Sequence, residues 1–305
     1  MERQKKGFIV ITVILVVSVA MLLVNLGGET KEHRDVDFIA RLYITGEILE
    51  AGHDYNQQWL LDTIDELSED EHNKGILLVI DSPGGAVYEA DEAYLALKEY
   101  RKKTNRPIHA YFKHIAASGG YYIACAANKI VANRNTITGS IGVIGGQSVD
   151  VTDLASTLGI KMKTFTAGRN KNMLNYDSPL TDEQEKIMHD FVYEAYDQFT
   201  QIVAESRGMR IEDVRELADG RIYTALQAKK NGLVDDVSDI FVAEDELNKV
   251  CDSNNTLEFY DYEFKYEETF QDLIGDFGSF LKSPIKSLKS SVQEESLPSL
   301  RYMAY

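Results

Sequence analysis

Apolar and polar positions follow three regimes along this chain. Residues 8–26, FIVITVILVVSVAMLLVNL, form 19 positions without a charge. Beyond residue 36 short apolar runs alternate with stretches of helical period. Residues 38–44 read as a strand leading to a turn at Gly46. A helix follows with Trp59, Leu60, Ile64 and Leu67 on one face. Residues 75–80, rich in Ile, Leu and Val, read as a buried strand. Residues 86–103 are helical, with Val87, Ala90, Tyr94 and Leu97 on one side. Strands are predicted at 108–112, 129–132, 141–144 and 161–165. Thr181 caps one long amphipathic helix that ends near Arg207, with Phe191, Tyr196 and Phe199 expected in the core or between subunits. This succession predicts an α/β fold with a largely parallel sheet under covering helices. From 252 to 305 the pattern is lost, and DSNN, SPIKS and SSVQEES read as loop or tail. No internal repeat is visible.

The first regime reads as a transmembrane helix, since at ~1.5 Å per residue it matches the ~30 Å hydrocarbon core. Arg3, Lys5 and Lys6 precede it and a mostly acidic segment follows, so the N-terminus is expected in the cytoplasm and the rest outside. The competing reading is a cleavable signal peptide. Its apolar region runs to ~7–15 residues and ends at small residues, which Asn25-Leu26-Gly27-Gly28 match poorly. The layout expected is an anchor at 1–27, a linker at 28–35, one folded domain at 36–250 and an extension at 251–305. The net charge of −17 argues against nucleic acid as a partner and against lying flat on anionic lipid. Two cysteines, Cys125 and Cys251, do not make a disulfide scaffold. Cys125 sits among Ile and Ala and is expected to be a small buried apolar residue.

Chemistry concentrates in three segments. In HIAASGGYYIACAANKI (114–130), Ser118 stands before two glycines and an apolar helical stretch. The turn caps a helix, or it exposes a nucleophilic hydroxyl beside converging backbone N–H groups. In GILLVIDSPGGAVYEADEAYLAL (75–97), Pro83-Gly84-Gly85 lies at a strand-to-helix turn where glycine lets backbone approach a ligand. In TFTAGRNKNMLNYDSPLTDEQEK (164–186), Lys171 occupies a polar loop. Such a lysine is ordinarily a solvated charge, yet the histidines are poor candidates for a base. His114 lies four residues before Ser118 and would have to fold back onto it. His189 belongs to the face of an amphipathic helix.

Together GILLVIDSPGG, AASGGYYIACAANKI, TGSIGVIGG (138–146), AGRNK (167–171) and ADGRIYTALQAKKNGLVD (218–235) resemble the signal peptide peptidase A family, over about residues 36–245. These are membrane-anchored Ser-Lys proteases of the crotonase and Clp-protease superfamily, so the resemblance implies a crotonase/Clp-protease-like βαβ superhelix. It implies Ser118 as nucleophile, Lys171 as general base, Gly85 and Gly119 as backbone oxyanion donors, and Ser140 as the hydroxyl that holds the lysine. Asp81 departs from the asparagine common in the family; it is expected to point away into a structural hydrogen bond. The stretch where Clp protease carries its histidine has none here. A lysine, with an ordinary pKa near ~10.4, acts as a base only when burial or a positive neighbour lowers that value. The family's chemistry is peptide hydrolysis through an acyl-enzyme, with no metal and no cofactor. Its expected substrates are cleaved signal peptides, and its expected assembly is a homo-oligomeric ring whose sites take Ser and Lys from neighbouring subunits. Two other classes compete: an acyl-CoA enzyme, which an exported domain does not suit, and a catalytically inactive scaffold, against which Ser118 and Lys171 speak.

The last residues, LRYMAY (300–305), alternate large and small side chains after a polar stretch. Such an end resembles an extended peptide substrate, which binds by backbone pairing. One reading is that it visits an active-site cleft and is trimmed there; the competing reading is a disordered terminus, which is the ordinary state of a chain end.

Overall fold

The computed structural model describes residues 35–266 and 301–303. The anchor expected at 1–27, the linker but for Asp35, and residues 267–300 lie outside the described residues. Among those described, no helix is long and apolar enough to cross a membrane.

The fold is mixed α/β. Among the described residues its centre is an eight-stranded sheet in the order β7 (Ile222–Thr224), β6 (Ile137–Gly139), β4 (Ile108–Ala117), β2 (Asn73–Ser82), β1 (Phe38–Thr45), β9 (Glu258–Tyr262), with β5 (Lys129–Ala132) joined to β4 and β8 (Asp236–Val237) to β5. Strands β1 (Phe38–Thr45), β2 (Asn73–Ser82) and β4 (Ile108–Ala117) run parallel side by side. Every residue from Gly75 to Ile80 is buried, as a central strand covered on both faces requires. Between β1 and β2 runs α1 (Gln57–Glu69), capped by the Asn56 side chain, which accepts from Trp59 N. After β2 the short β3 (Gly84–Ala86) leads into α2 (Val87–Thr104). Helix α2 closes on Asn105 in the left-handed region, after Arg101, Lys102 and Lys103 in its last turn.

Strand β4 forks. Its first half, His109–Phe112, pairs with β5 (Lys129–Ala132), and its end, Ile115–Ala117, pairs with β6 (Ile137–Gly139). Between the two halves α3 (Gly119–Ala124) leaves the tip of β4 and is buried throughout. Two helices follow β6, α4 (Thr152–Thr157) and α5 (Asp182–Arg207). Thr181 starts α5 with a capping box closed by Gln184, as its place in the sequence predicts. Of the aromatic residues on α5, Phe199 is buried and Phe191 is about half exposed. Helices α6 (Ile211–Leu217), α7 (Ala225–Lys230) and α8 (Ile240–Cys251), with strands β7 (Ile222–Thr224) and β8 (Asp236–Val237), complete the domain.

Three expectations need correction. Residues 141–144 are not a strand. Extension stops at Gly139 and Ser140, both at positive φ, so the strand there is β6, a few residues earlier. Residues 161–165 are not a strand either; the segment is largely exposed, and among the described residues no edge pairs with it. Conversely, the stretch after 252 holds β9 (Glu258–Tyr262), which adds to β1 in parallel. Its signal is an alternation of aromatic and acidic residues that tertiary pairing turns into a strand.

Candidate active site

The end of β4, the start of α3 and the turn after β2 meet at one place. Ser118 joins β4 to α3 at φ 53°, ψ −118°, outside the regions a non-glycine residue adopts without cost. Neighbouring bonds hold it there: Ser118 N donates to Gly139 O at 2.8 Å, and Tyr122 N donates to Ser118 O at 2.9 Å. The residue is fully buried, and among the described residues its Oγ has no hydrogen-bond partner.

Two glycines crowd against it. A Cβ on Gly119 would stand 3.2 Å from Gly85 N and 3.3 Å from Gly84 Cα, so the Gly119 backbone lies directly over the β3 turn. Gly84 holds φ 105°, and its N–H donates to Ser82 Oγ at 3.1 Å. Gly85 is pressed from the other side by Ile48: Ile48 N donates to Gly84 O at 2.9 Å and Ala86 N to Ile48 O at 2.8 Å. Gly120 rests on Ser82, whose carbonyl oxygen lies 3.0 Å from where a Cβ would be. Ser140 follows Gly139, the acceptor of the Ser118 amide, and its own N–H donates to Arg221 O at 2.8 Å. The structure thus brings Ser118, Gly119, Gly85 and Ser140 together.

Lys171 is not among them. It sits in an exposed turn, its N–H donating to Gly168 O, and the unpartnered Ser118 Oγ places its ammonium out of hydrogen-bond reach. His114 does not fill the gap. Its Nδ1 is 2.6 Å from Asp81 Oδ2, and its ring is 83 % exposed while Ser118 is fully buried. Asp81 also accepts from Ile115 N at 3.2 Å, so the carboxylate does point into a structural hydrogen bond. Cys125 is buried, and burial pushes its thiol up to about 12, which makes it an inert packing residue. Among the described residues no cluster of His, Cys, Asp and Glu is placed to hold a metal ion.

Helix α3 is tied on several sides. Tyr121 OH donates to Leu233 O at 2.7 Å; burial raises this phenol well above its ordinary pKa, keeping it a donor. Tyr122 OH donates to Asp91 at 2.6 Å and accepts from Gln198 Nε2 at 2.7 Å, linking α3 to α2 and α5. The sequence marks Tyr121 as part of the Ser118-Gly119-Gly120-Tyr121 run but gives neither tyrosine hydroxyl a partner, because those partners lie far along the chain.

One more segment reaches the site. The backbone of β10 (Arg301–Met303) pairs antiparallel with β3: Arg301 faces Ala86, Tyr302 faces Gly85 and Met303 faces Gly84. The glycine turn therefore lies between Ile48 and the chain's own tail.

The profile of peptidase family S49 matches residues 100–252. A protein of Enterococcus faecium with the provisional name signal peptide peptidase SppA is 39 % identical over 69 % of this chain and 63 % of its own length. A protein of Methanocaldococcus jannaschii, provisionally named a protease, is 32 % identical over 81 % of this chain and 82 % of its own. Among solved structures, a ClpP1 mutant from Listeria monocytogenes aligns with TM-score 0.42 and 19 % identity, over 65 % of this chain and 91 % of that one.

Proposed function

Because the chain belongs to peptidase family S49, we propose that it is a membrane-anchored serine endopeptidase with a Ser-Lys dyad, acting on remnant signal peptides and other apolar peptides. Ser118 attacks the peptide carbonyl. The Gly85 and Gly119 N–H groups receive the oxyanion, and the acyl-enzyme on Ser118 is released by water. Lys171 takes the serine proton and Ser140 steadies it. No metal or cofactor enters the scheme. The fold assigned is the crotonase/Clp-protease-like superhelix, carried by residues 36–250, and the apolar run at 8–26 anchors it with the domain outside the cytoplasmic membrane.

A single observation carries this reading. A buried serine is held at positive φ, with its hydroxyl unpartnered, beside two glycines whose backbones touch. A buried hydroxyl without a partner is costly, and such costs persist where function uses them. Lys171 stands exposed in the same chain, so the base comes from a neighbouring copy in a homo-oligomeric ring. Val149, Leu154, Leu158, Ile160, Phe165 and Tyr176, all largely exposed, give the Lys171-bearing segment an apolar surface for that contact.

Fluorophosphonate labelling tests the assignment. The wild-type chain labels at Ser118; Ser118→Ala does not label, and Lys171→Ala labels about 10²-fold or more slowly. Labelling of Lys171→Ala at the wild-type rate would remove the lysine from the mechanism.

A further inference from the structure

Strands β2 and β4 do not match residue for residue near the site. Ile80 pairs with Phe112 but Ser82 pairs with Ala116, so Lys113, His114 and Ile115 span what Asp81 alone spans on β2. At this bulge β4 leaves β5 and takes up β6. A bulge leaves backbone groups outside the ladder. Here the Asp81 side chain receives one of them: its Oδ1 accepts from Ile115 N at 3.2 Å. Oδ2 lies 2.6 Å from His114 Nδ1 and 3.7 Å from Lys113 Nζ, and Asp81 O accepts from Gly46 N at 3.0 Å.

Asp81 sits at the junction of two strand ends, each leading to one of the site's glycines. Along β2, Ser82 follows Asp81; its hydroxyl accepts from Gly84 N, and its carbonyl supports Gly120. Along β4, Ile115 leads through Ala116 and Ala117 to Ser118, and Ile115 is also where pairing with β6 begins. The Asp81–Ile115 bond is thus a side-chain tie between β2, which leads into the turn holding Gly85, and β4, which leads to Ser118 and Gly119.

Two components of this tie separate by exposure. The His114 ring is 83 % exposed and the Lys113 side chain 40 %, whereas the Asp81 side chain is 17 % exposed. Ion pairs that reach into water contribute little, while an oxygen that satisfies a partly buried N–H contributes through geometry.

Resting on the reading of Ser118 as nucleophile, we infer that Asp81 is a positioning residue: its Oδ1, not its charge, sets the spacing of the Gly85 and Gly119 N–H groups around the oxyanion. Misplacing a catalytic group by about 1 Å costs about 10²-fold in rate, so a tie of this kind is read in kcat.

Two substitutions separate geometry from charge. Asp81→Asn keeps an oxygen for Ile115 N–H and loses the charge; Asp81→Glu keeps the charge and moves the oxygen by one methylene. Peptidase turnover by the full chain is measured per fluorophosphonate-titrated serine, so that unfolded protein is not counted, alongside hydrogen exchange at the Ile115 amide. Asp81→Asn, like His114→Ala, stays within about threefold of wild-type kcat and keeps Ile115 protected. Asp81→Glu loses about 10- to 10²-fold in kcat with KM within about threefold, and Ile115 exchanges faster. The inference is overturned if Asp81→Glu keeps more than half of kcat, if Asp81→Asn falls as far as Asp81→Glu, or if the loss appears in KM or thermal stability alone. Turnover surviving in Ser118→Ala would instead overturn the reading of the nucleophile.

Discussion

A methyl group on Gly119 would stand 3.2 Å from the backbone nitrogen of Gly85, and one on Gly85 would overlap Ile48 O at 2.0 Å. The first contact is tight and asks its neighbours to give by a few tenths of an ångström; the second has no room at all. Gly85→Ala must therefore open the pairing of Ile48 with the glycine turn, destabilising the fold by about 1–3 kcal/mol, as overpacking does, and removing activity. Gly119→Ala should keep a wild-type unfolding midpoint while losing about tenfold in turnover. Urea unfolding and turnover of both variants check this. A Gly85→Ala protein as stable as wild type would mean that the Ile48 contact yields freely.

The proposed sharing of sites between copies has a direct consequence. Ser118→Ala and Lys171→Ala should each be inactive alone. Mixed and reassembled, a Lys171→Ala copy supplies its serine and a Ser118→Ala copy its lysine, and random pairing in a closed ring restores about one quarter of the wild-type sites. Turnover of the remixed sample, against each variant carried through the same steps, is the measurement. A mixture as inactive as its parts would place both residues of a site in one chain.

The two glycine-bearing segments that meet in the site were legible because their signal is local. Ser118, Gly119 and Gly85 each lie at a turn between an apolar run and a helix, and turn chemistry is written in adjacent residues. The sheet was legible where strands are buried on both faces, as in β2. What failed was pairing across distance. Residues 141–144 look like a strand until Gly139 and Ser140 turn the chain, and β9 looks like loop until β1 offers an edge. The role of Ile48 as the backbone partner of Gly85 had no local signal, since an isolated bridge leaves no period in the sequence. Neither did the double-residue bulge at 113–115, which only register reveals.

His109 provides a pH dependence of stability. It lies in β4 beside Lys129, buried, with Nδ1 lacking a partner. Burial, and then the Lys129 charge, lower its pKa from 6.5 to about 4. The unfolded chain therefore takes up a proton below about 6.5 that the folded chain refuses until about 4, so this contribution falls as pH drops through that window. Between pH 7 and pH 4.5 the loss should be about 2–3 kcal/mol. Urea unfolding at both values, for wild type and His109→Leu, isolates it: the variant should lose less by that amount. Equal losses in both would show that His109 is not the group responsible.

The backbone of β10 occupies the side of β3 opposite Ile48 and pairs with Gly84 and Gly85. An extended peptide substrate adding to that edge would make the same main-chain bonds, so tail and substrate exclude each other. A tail on its own tether is present at an effective concentration of about millimolar, enough to compete with a peptide added at lower concentration. Removing residues 301–305 should therefore lower the KM for an added peptide severalfold with kcat unchanged. Cleavage is the second consequence, because a segment paired beside Ser118 is presented as a substrate is. Intact mass followed over time should show wild-type protein losing C-terminal residues while Ser118→Ala keeps Tyr305. Equal trimming in both would assign the cut to a contaminating protease. A tail that stays whole in both, with KM lowered in the truncated chain, would leave a competitor that binds the edge without reaching the serine. An unchanged KM would mean that β10 does not hold the edge against substrate.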